Sequence, residues 1–240
     1  MTLDLIAVGD STVDVVIPVP RFLKGNEDSL HSAGMERHMG GSSNYLITAS
    51  RLGLRVGVVD CIGDDSLGDF YRAGLEAEGV DTSRIIVRRG GRTTGCVVVL
   101  TNRGKHAYIG LEGVSQTLTA DELDEDYVAG TKAFFMSGYP LAEAPISGAV
   151  VKALRAAHTA GRHVFFDPSP IADKIQKEKL IEAVKSTDTL ILNDREMGLV
   201  ATALGVESEP ASLIRLGAKR VVLKRGSDGC SIHTSKEMRD

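Results

Sequence analysis

Two short polar clusters carry the chemistry that can be read from this chain. Gly40-Gly41-Ser42-Ser43-Asn44 opens a helical pattern early, and Asn193-Asp194-Arg195-Glu196 follows a short apolar run late. A glycine pair lets backbone approach a ligand closely, and the helix start behind it presents free N–H groups. Asn44 adds a side chain that both donates and accepts, which suits a hydroxyl. The alternative is a plain turn followed by a serine helix cap. Asp14 stands just past the first apolar run, in Gly9-Asp10-Ser11-Thr12-Val13-Asp14, where ligands of open α/β sheets gather. A carboxylate there can accept hydrogen bonds from two neighbouring hydroxyls. Position favours Asp14 for this role, and Asp10 less so.

The late cluster has the complementary character. Asn193 and Glu196, three apart, can face one site from a single helical turn. Glu196 could then organise Mg²⁺, directly or through water, while Asn193 contacts a phosphate oxygen. The same spacing is that of a capping box, so a purely structural role stays open. Gly226 and Gly229 surround a tight turn whose N–H groups could hold anionic oxygens, with Lys224 adding charge. Here the alternative is a β-turn into a strand over Cys230–Thr234. A hydroxyl-binding patch joined to a phosphate–metal patch suggests phosphoryl transfer.

The elements that must position these residues follow from periodicity. Leu3–Val8 reads as a buried parallel strand, and Val13–Val19 as a more exposed one. Another exposed strand is expected around Leu30–Met39. A helix runs from Asn44 to Leu52, stopped at Gly53, and a buried strand follows over Arg55–Ile62. Leu67, Phe70, Tyr71, Gly74 and Leu75 form one helical stripe, capped by Asp65 or Ser66 and ended by Gly79. Asn102-Arg103-Gly104 joins Thr93–Leu100 to His106–Ile109 as a hairpin. Strands over Ala133–Met136, His163–Phe166, Thr189–Leu192 and Arg220–Leu223 then alternate with helices. That alternation predicts a doubly wound, mostly parallel α/β sheet with helices on both faces. The strands near 12–39 and 93–110 do not fit it and are expected to form a small second sheet, a candidate lid. No linker or repeat divides the chain, so one domain over 1–240 is expected.

Composition narrows the function classes. The formal net charge is −4 and aromatics are only 5% without tryptophan, which speaks against gripping or stacking nucleic acid. The apolar runs are too short to cross a bilayer. The N-terminus has no basic n-region, and Cys61, Cys96 and Cys230 have neither paired nor metal-ligand spacing. Buried, reduced thiols in a cytoplasmic protein are the expectation. Gly63-Asp64-Asp65 is explained by helix capping rather than metal binding. Asp167-Pro168 could face the site or be a plain turn. There is no Walker-type loop, no Gly-x-Ser-x-Gly elbow and no Gly-x-Gly-x-x-Gly after the first strand.

The order of these motifs resembles the ribokinase-like, PfkB-type carbohydrate kinases. The stretches that match are Gly9 to Asp14, Gly40 to Gly53, Ile62 to Asp65, Gly79 to Asp81, Thr94-Gly95, Leu192 to Glu196 and Lys224 to Gly229. The resemblance implies ATP-dependent phosphorylation of a hydroxymethyl group on a sugar or related polyol, with Mg²⁺, under a small sheet that often serves dimer pairing. Carried over by position, Asp14, Thr12, Gly40, Gly41 and Asn44 would hold the sugar. Asn193 and Glu196 would serve the phosphate and Mg²⁺, and Lys224, Gly226 and Gly229 would line the nucleotide site. Ser42 and Thr12 depart from the ribokinase pattern, which puts ribose itself in question. A nucleoside acceptor, stacked on Tyr45, Tyr108 or Tyr139, is the runner-up, and a non-catalytic sugar-binding protein the third reading. The family's second signature, Asp-Thr-x-Gly-Ala-Gly-Asp, supplies the base and the anion hole and does not occur in this sequence. Asp240 lacks its glycine context and is not assigned the role. Weak or absent turnover by the chain alone is therefore expected.

Overall fold

Strand residues of the main sheet are apolar on both sides, so the sheet must be covered on both sides. The computed structural model describes residues 2–27 and 29–239; Met1, Asp28 and Asp240 lie outside the described residues, as does the expectation about Asp240. In β1 (Leu5–Val8), Ile6 and Val8 enter one buried cluster while Ala7 enters the other. The same alternation occurs in β4 (Val56–Gly63), where Val59 and Cys61 face one cluster and Val58 and Ile62 the other.

Between them lie β2 (Ser11–Val19), β3 (Glu36–Gly41) and α1 (Ser43–Arg51). Then follow α2 (Ser66–Ala77), β5 (Asp81–Arg88), β6 (Gly95–Thr101), β7 (His106–Leu111) and the short α3 (Glu125–Ala129). The regular alternation is β8 (Ala133–Ser137), α4 (Gly138–Ala142), α5 (Ile146–Thr159), β9 (His163–Asp167), α6 (Lys177–Lys185), β10 (Thr189–Asn193) and α7 (Asp194–Leu204). The described residues end with α8 (Pro210–Leu216), β11 (Arg220–Lys224), β12 (Cys230–Thr234) and β13 (Met238–Arg239).

The main sheet has the order β13-β12-β11-β10-β9-β8-β1-β4-β5, and all pairs from β11 to β5 are parallel. Leu46, Tyr71 and Leu75 bring α1 and α2 against one face; Leu154, Leu180, Val200 and Leu213 bring α5 to α8 against the other. On the α1 side, the β8–β11 half of the sheet is only half-buried at Phe135, Phe165, Ile191 and Val222. A row of rings runs across it, Tyr45 on Phe135 (4.1 Å between centroids) and Phe135 near Phe165 (6.5 Å).

The small second sheet is present, with the order β3-β2-β6-β7. Strand β3 begins at Glu36 rather than near Leu30: its ladder with β2 runs from Glu36 opposite Val16 to Gly41 opposite Ser11. Both roots of this sheet are tied to the main one by Asp60. That fully buried carboxylate accepts from the Ser11 N–H (2.8 Å), where the chain enters β2, and from Ser115 Oγ (2.7 Å), just after β7. Burial pushes Asp60 up to about 6 despite these bonds.

Two expectations need correction. Asp81–Arg88, to which the sequence assigns no element, is the strand paired with β4, and its mixed burial gives it no clean apolar period. The cysteines are not uniformly buried: Cys61 is, Cys96 is half-buried and Cys230 is exposed on β12. Asp65, by contrast, caps α2 through the Gly68 N–H (2.8 Å) as its position indicates.

Candidate functional site

The parallel strands end in a rim of polar residues. Pairing sets Ser137 beside Asp167 and Asn193 beside Lys224, while β1 runs out into Gly9-Asp10 next to β8. Strand order reverses at β1, with β4 on one side and β8 on the other, so the loops leaving β1 and β8 diverge and open a crevice.

Asp10 sits at that crevice with φ +68, a backbone region that Asp tolerates better than most residues. Its carbonyl accepts the Ser42 N–H at 2.9 Å, and a Cβ on Gly41 would lie 1.8 Å from the same oxygen. With φ +58 as well, position 41 admits only glycine, so the glycine pair is there to let two loops touch. Asp10 Oδ2 accepts from Ser137 Oγ (2.8 Å). Burial pushes this carboxyl up to about 7, and the charges of Asp60, Asp14 and Asp167 add to that against the Ser137 hydrogen bond.

The other sugar-side residues divide. Gly41 and Asn44 line a depression of about 390 Å³ together with Asp10, Ser137, Tyr139, Asp167 and Glu196. Thr12 lines a smaller hollow of about 160 Å³ on the other side of Asp10, with Thr94, Ser115 and Tyr139. Asp14 stands behind Gly40, where an added Cβ would meet its carboxylate at 2.7 Å; burial raises its pKa and His38 opposes this. Asp10, which position favours less in the sequence, lines both hollows, whereas Asp14 flanks them from β2 and lines neither. Ser42 makes no helix-capping bond; its hydroxyl lies 3.1 Å from the buried Tyr71 hydroxyl instead.

On the phosphate side the capping box forms in full. Glu196 N–H donates to Asn193 Oδ1 (2.9 Å) and Asn193 N–H to Glu196 Oε2 (2.8 Å). The cap does not exhaust Glu196, because Lys224 Nζ lies 3.5 Å from Oε2 and 3.0 Å from Asp167 Oδ2. Burial works against the Lys224 charge, but the hydrogen bond and charge of Asp167, with Glu196, outweigh it and raise its pKa. Asn193, Lys224 and Gly226 line a second, open depression of about 470 Å³. Gly229 closes the turn beneath it, its carbonyl accepting the Arg225 N–H (2.8 Å). The Lys224–Asp167–Glu196 contacts join the two depressions, so both clusters open on one crevice. Asp167, left open in the sequence, belongs to it, and so does Ser137, which carries no local motif.

Among the described residues no group of three His, Cys, Asp or Glu side chains is arranged to hold a metal ion. Glu196 and Asp167 each already spend one oxygen on Lys224. Two partly engaged carboxylates fit a hydrated Mg²⁺ held mainly by nucleotide phosphates, not one caged by protein.

The model of the pfkB family of carbohydrate kinases matches residues 2–239. A 5-dehydro-2-deoxygluconokinase of Clostridium perfringens is 29% identical over 238 residues, covering 91% of this chain and 70% of that protein. An ATP-dependent ribose-1-phosphate kinase of Halopiger xanaduensis is 28% identical, covering 96% and 73%. Among solved structures, a PfkB protein from a Polaromonas species superposes with a TM-score of 0.86 at 22% identity, covering 99% of this chain and 82% of that one. A ribokinase from Thermotoga maritima gives 0.84 at 22% identity, covering 99% of this chain and 76% of that one. The chain belongs to the pfkB family of carbohydrate kinases, phosphotransferases that act on a sugar hydroxyl.

Proposed function

We propose that this protein transfers the γ-phosphoryl group of ATP, with Mg²⁺, to a hydroxymethyl group of a sugar or related polyol. The observation that carries the reading is the Lys224 bridge, which joins a hydroxyl-binding hollow to an anion-binding turn across 3.0 Å and 3.5 Å contacts. In this reading Thr12, Gly41 and Asn44, which line the hollows with Asp10, hold the acceptor, and Asp14 and Gly40 complete that side from β2 and β3. The Gly226–Gly229 turn and Lys224 hold nucleotide phosphates, and Asn193 and Glu196 orient that end. Mg²⁺ would be held through water by Glu196 and Asp167 and would neutralise phosphate charge. The small sheet, rooted through Asp60, would close over the crevice and exclude water, so that the alcohol is the acceptor.

A sugar is favoured over a nucleoside by the aromatic residues. Tyr45 and Tyr139 both line the crevice, but the Tyr45 ring is stacked on Phe135, and Tyr108 is 65% exposed on β7. The exposed Tyr108 and Ile109 also support pairing of two copies through this sheet. A coupled ADP-release assay over a sugar and nucleoside panel, with calorimetry of the same ligands, tests the proposal. Sugar binding is expected, with weak or no ADP release by this chain alone, and binding of nucleosides with no sugar bound would overturn it.

A further inference from the structure

We propose that Asp60 is a positioning residue for the acceptor, closing a ring of hydrogen bonds that sets Thr12 and Thr94 against each other in the smaller hollow. The inference rests on the carbohydrate reading above and deepens it at the same site. Ser11 N–H donates to Asp60 Oδ2 (2.8 Å), and the Ser115 hydroxyl donates to Oδ1 (2.7 Å). Ser115 N–H in turn donates to Thr94 Oγ1 (3.3 Å), and Val13 N–H donates to the Thr94 carbonyl (3.1 Å). The backbone from Ser11 through Thr12 to Val13 completes the ring. Ser11, Thr12, Thr94 and Ser115 all line the hollow of about 160 Å³, while Asp60 lies fully buried behind them. Asp60 therefore acts on an acceptor through these four residues. The ring also fixes where β2 and β6 start, since their parallel pairing begins at Val13 opposite Gly95.

The ring needs a carboxyl group at position 60, not just a polar side chain of that size. Cys61 N–H also donates to Oδ1 (2.7 Å), so each oxygen of Asp60 faces a backbone N–H, Ser11 on one side and Cys61 on the other. An asparagine amide has one accepting end and one donating end. In either orientation its NH₂ would meet one of those two backbone donors and leave it buried without an acceptor. The Ser115 hydroxyl can rotate to suit a new partner, but the backbone N–H groups cannot. Asp60→Asn thus opens the ring at position 60 while nearly preserving volume, and Ser115→Ala opens it at the opposite link while leaving Asp60 its two N–H partners.

The test compares wild type, Asp60→Asn, Ser115→Ala and the double variant; Ser115→Ala keeps it decisive if Asp60→Asn folds poorly. Amide hydrogen exchange without ligand reads the protection of β2 and β6 relative to β9 and β10, so that a loss of overall stability cancels. A hydrogen bond to a charged group corresponds to a factor of about ten or more, so relative protection of the small sheet is expected to fall at least about tenfold in each single variant. The double variant is expected to lose no more than Asp60→Asn alone, because both changes break one ring. Calorimetry with ribose, fructose, glucose and gluconate, and separately with MgATP, reads the consequence at the site. Sugar affinity is expected to fall several-fold in both single variants, while MgATP affinity stays within about twofold of wild type. Unchanged relative protection, additive losses in the double variant, or equal losses of sugar and MgATP affinity overturns this inference alone. Binding of no sugar by the wild type overturns the carbohydrate reading beneath it.

Discussion

Gly41→Ala is the sharpest perturbation of the crevice, and its cost can be worked from contacts. The new Cβ would sit 1.8 Å from the Asp10 carbonyl oxygen, roughly 1.5 Å or more inside an ordinary contact. That oxygen is backbone and cannot swing aside as a side chain could. Alanine at φ +58 adds about 1–2 kcal/mol of left-handed strain. If the loops part, the Ser42 N–H loses its acceptor, worth about 1 kcal/mol, and overpacking adds about 1–3 kcal/mol. The sum is about 3–6 kcal/mol, limited by local opening of the Gly9–Thr12 loop. Gly40→Ala is the control. Its Cβ would meet the Asp14 carboxylate at 2.7 Å, a side chain that can turn, and its φ is not left-handed, so about 1–1.5 kcal/mol is expected. Urea denaturation of both variants, with amide exchange at Asp10 to Thr12, measures the difference. A Gly41→Ala protein within about 1 kcal/mol of wild type, or less destabilised than Gly40→Ala, would refute the close-approach argument.

Stability should vary with pH in a predictable sense. Asp60 near 6 and Asp10 near 7 both lie above their unfolded value, so the fold binds these protons more tightly than the unfolded chain does. Their contribution therefore rises as pH falls from about 8 toward 4. Glu122 is held down to about 2, first by its Arg88 hydrogen bond, and Asp4 lower still by Lys132 and Arg55; their stabilisation fades below about pH 4.5. The urea midpoint should peak between about pH 4.5 and 6, and a steady fall from pH 7.5 to 5.5 would contradict this. Replacing Lys224 with Met removes the bridge and leaves Asp167 and Glu196 facing the phosphate site; MgATP affinity by calorimetry should drop at least about tenfold, and unchanged affinity would remove Lys224 from that role. If two copies pair through the small sheet, Ile109→Glu should shift light scattering from dimer to monomer, whereas a wild type that is monomeric at high concentration ends that proposal.

What the sequence alone determined is what short-range forces determine. Strand-and-helix alternation after Ala133, the Asn102-Arg103-Gly104 hairpin, the Asp65 cap and the Asn193–Glu196 capping box depend on residues a few positions apart. So does the need for glycine at 226 and 229, both at positive φ. The edge strand Asp81–Arg88 escaped because it is half polar and gains its identity only by pairing with β4. Tertiary structure decided the rest. Asp10, Ser137 and Asp167 meet because β1, β8 and β9 are neighbours, although Ser137 lies 127 positions from Asp10. Lys224 reaches Asp167 across 57 positions, and Asp60 joins both roots of the small sheet across 49 and 55. Strand order sets these contacts, and it is fixed by burial of both sheet faces together, a property of the whole chain that no local spacing encodes.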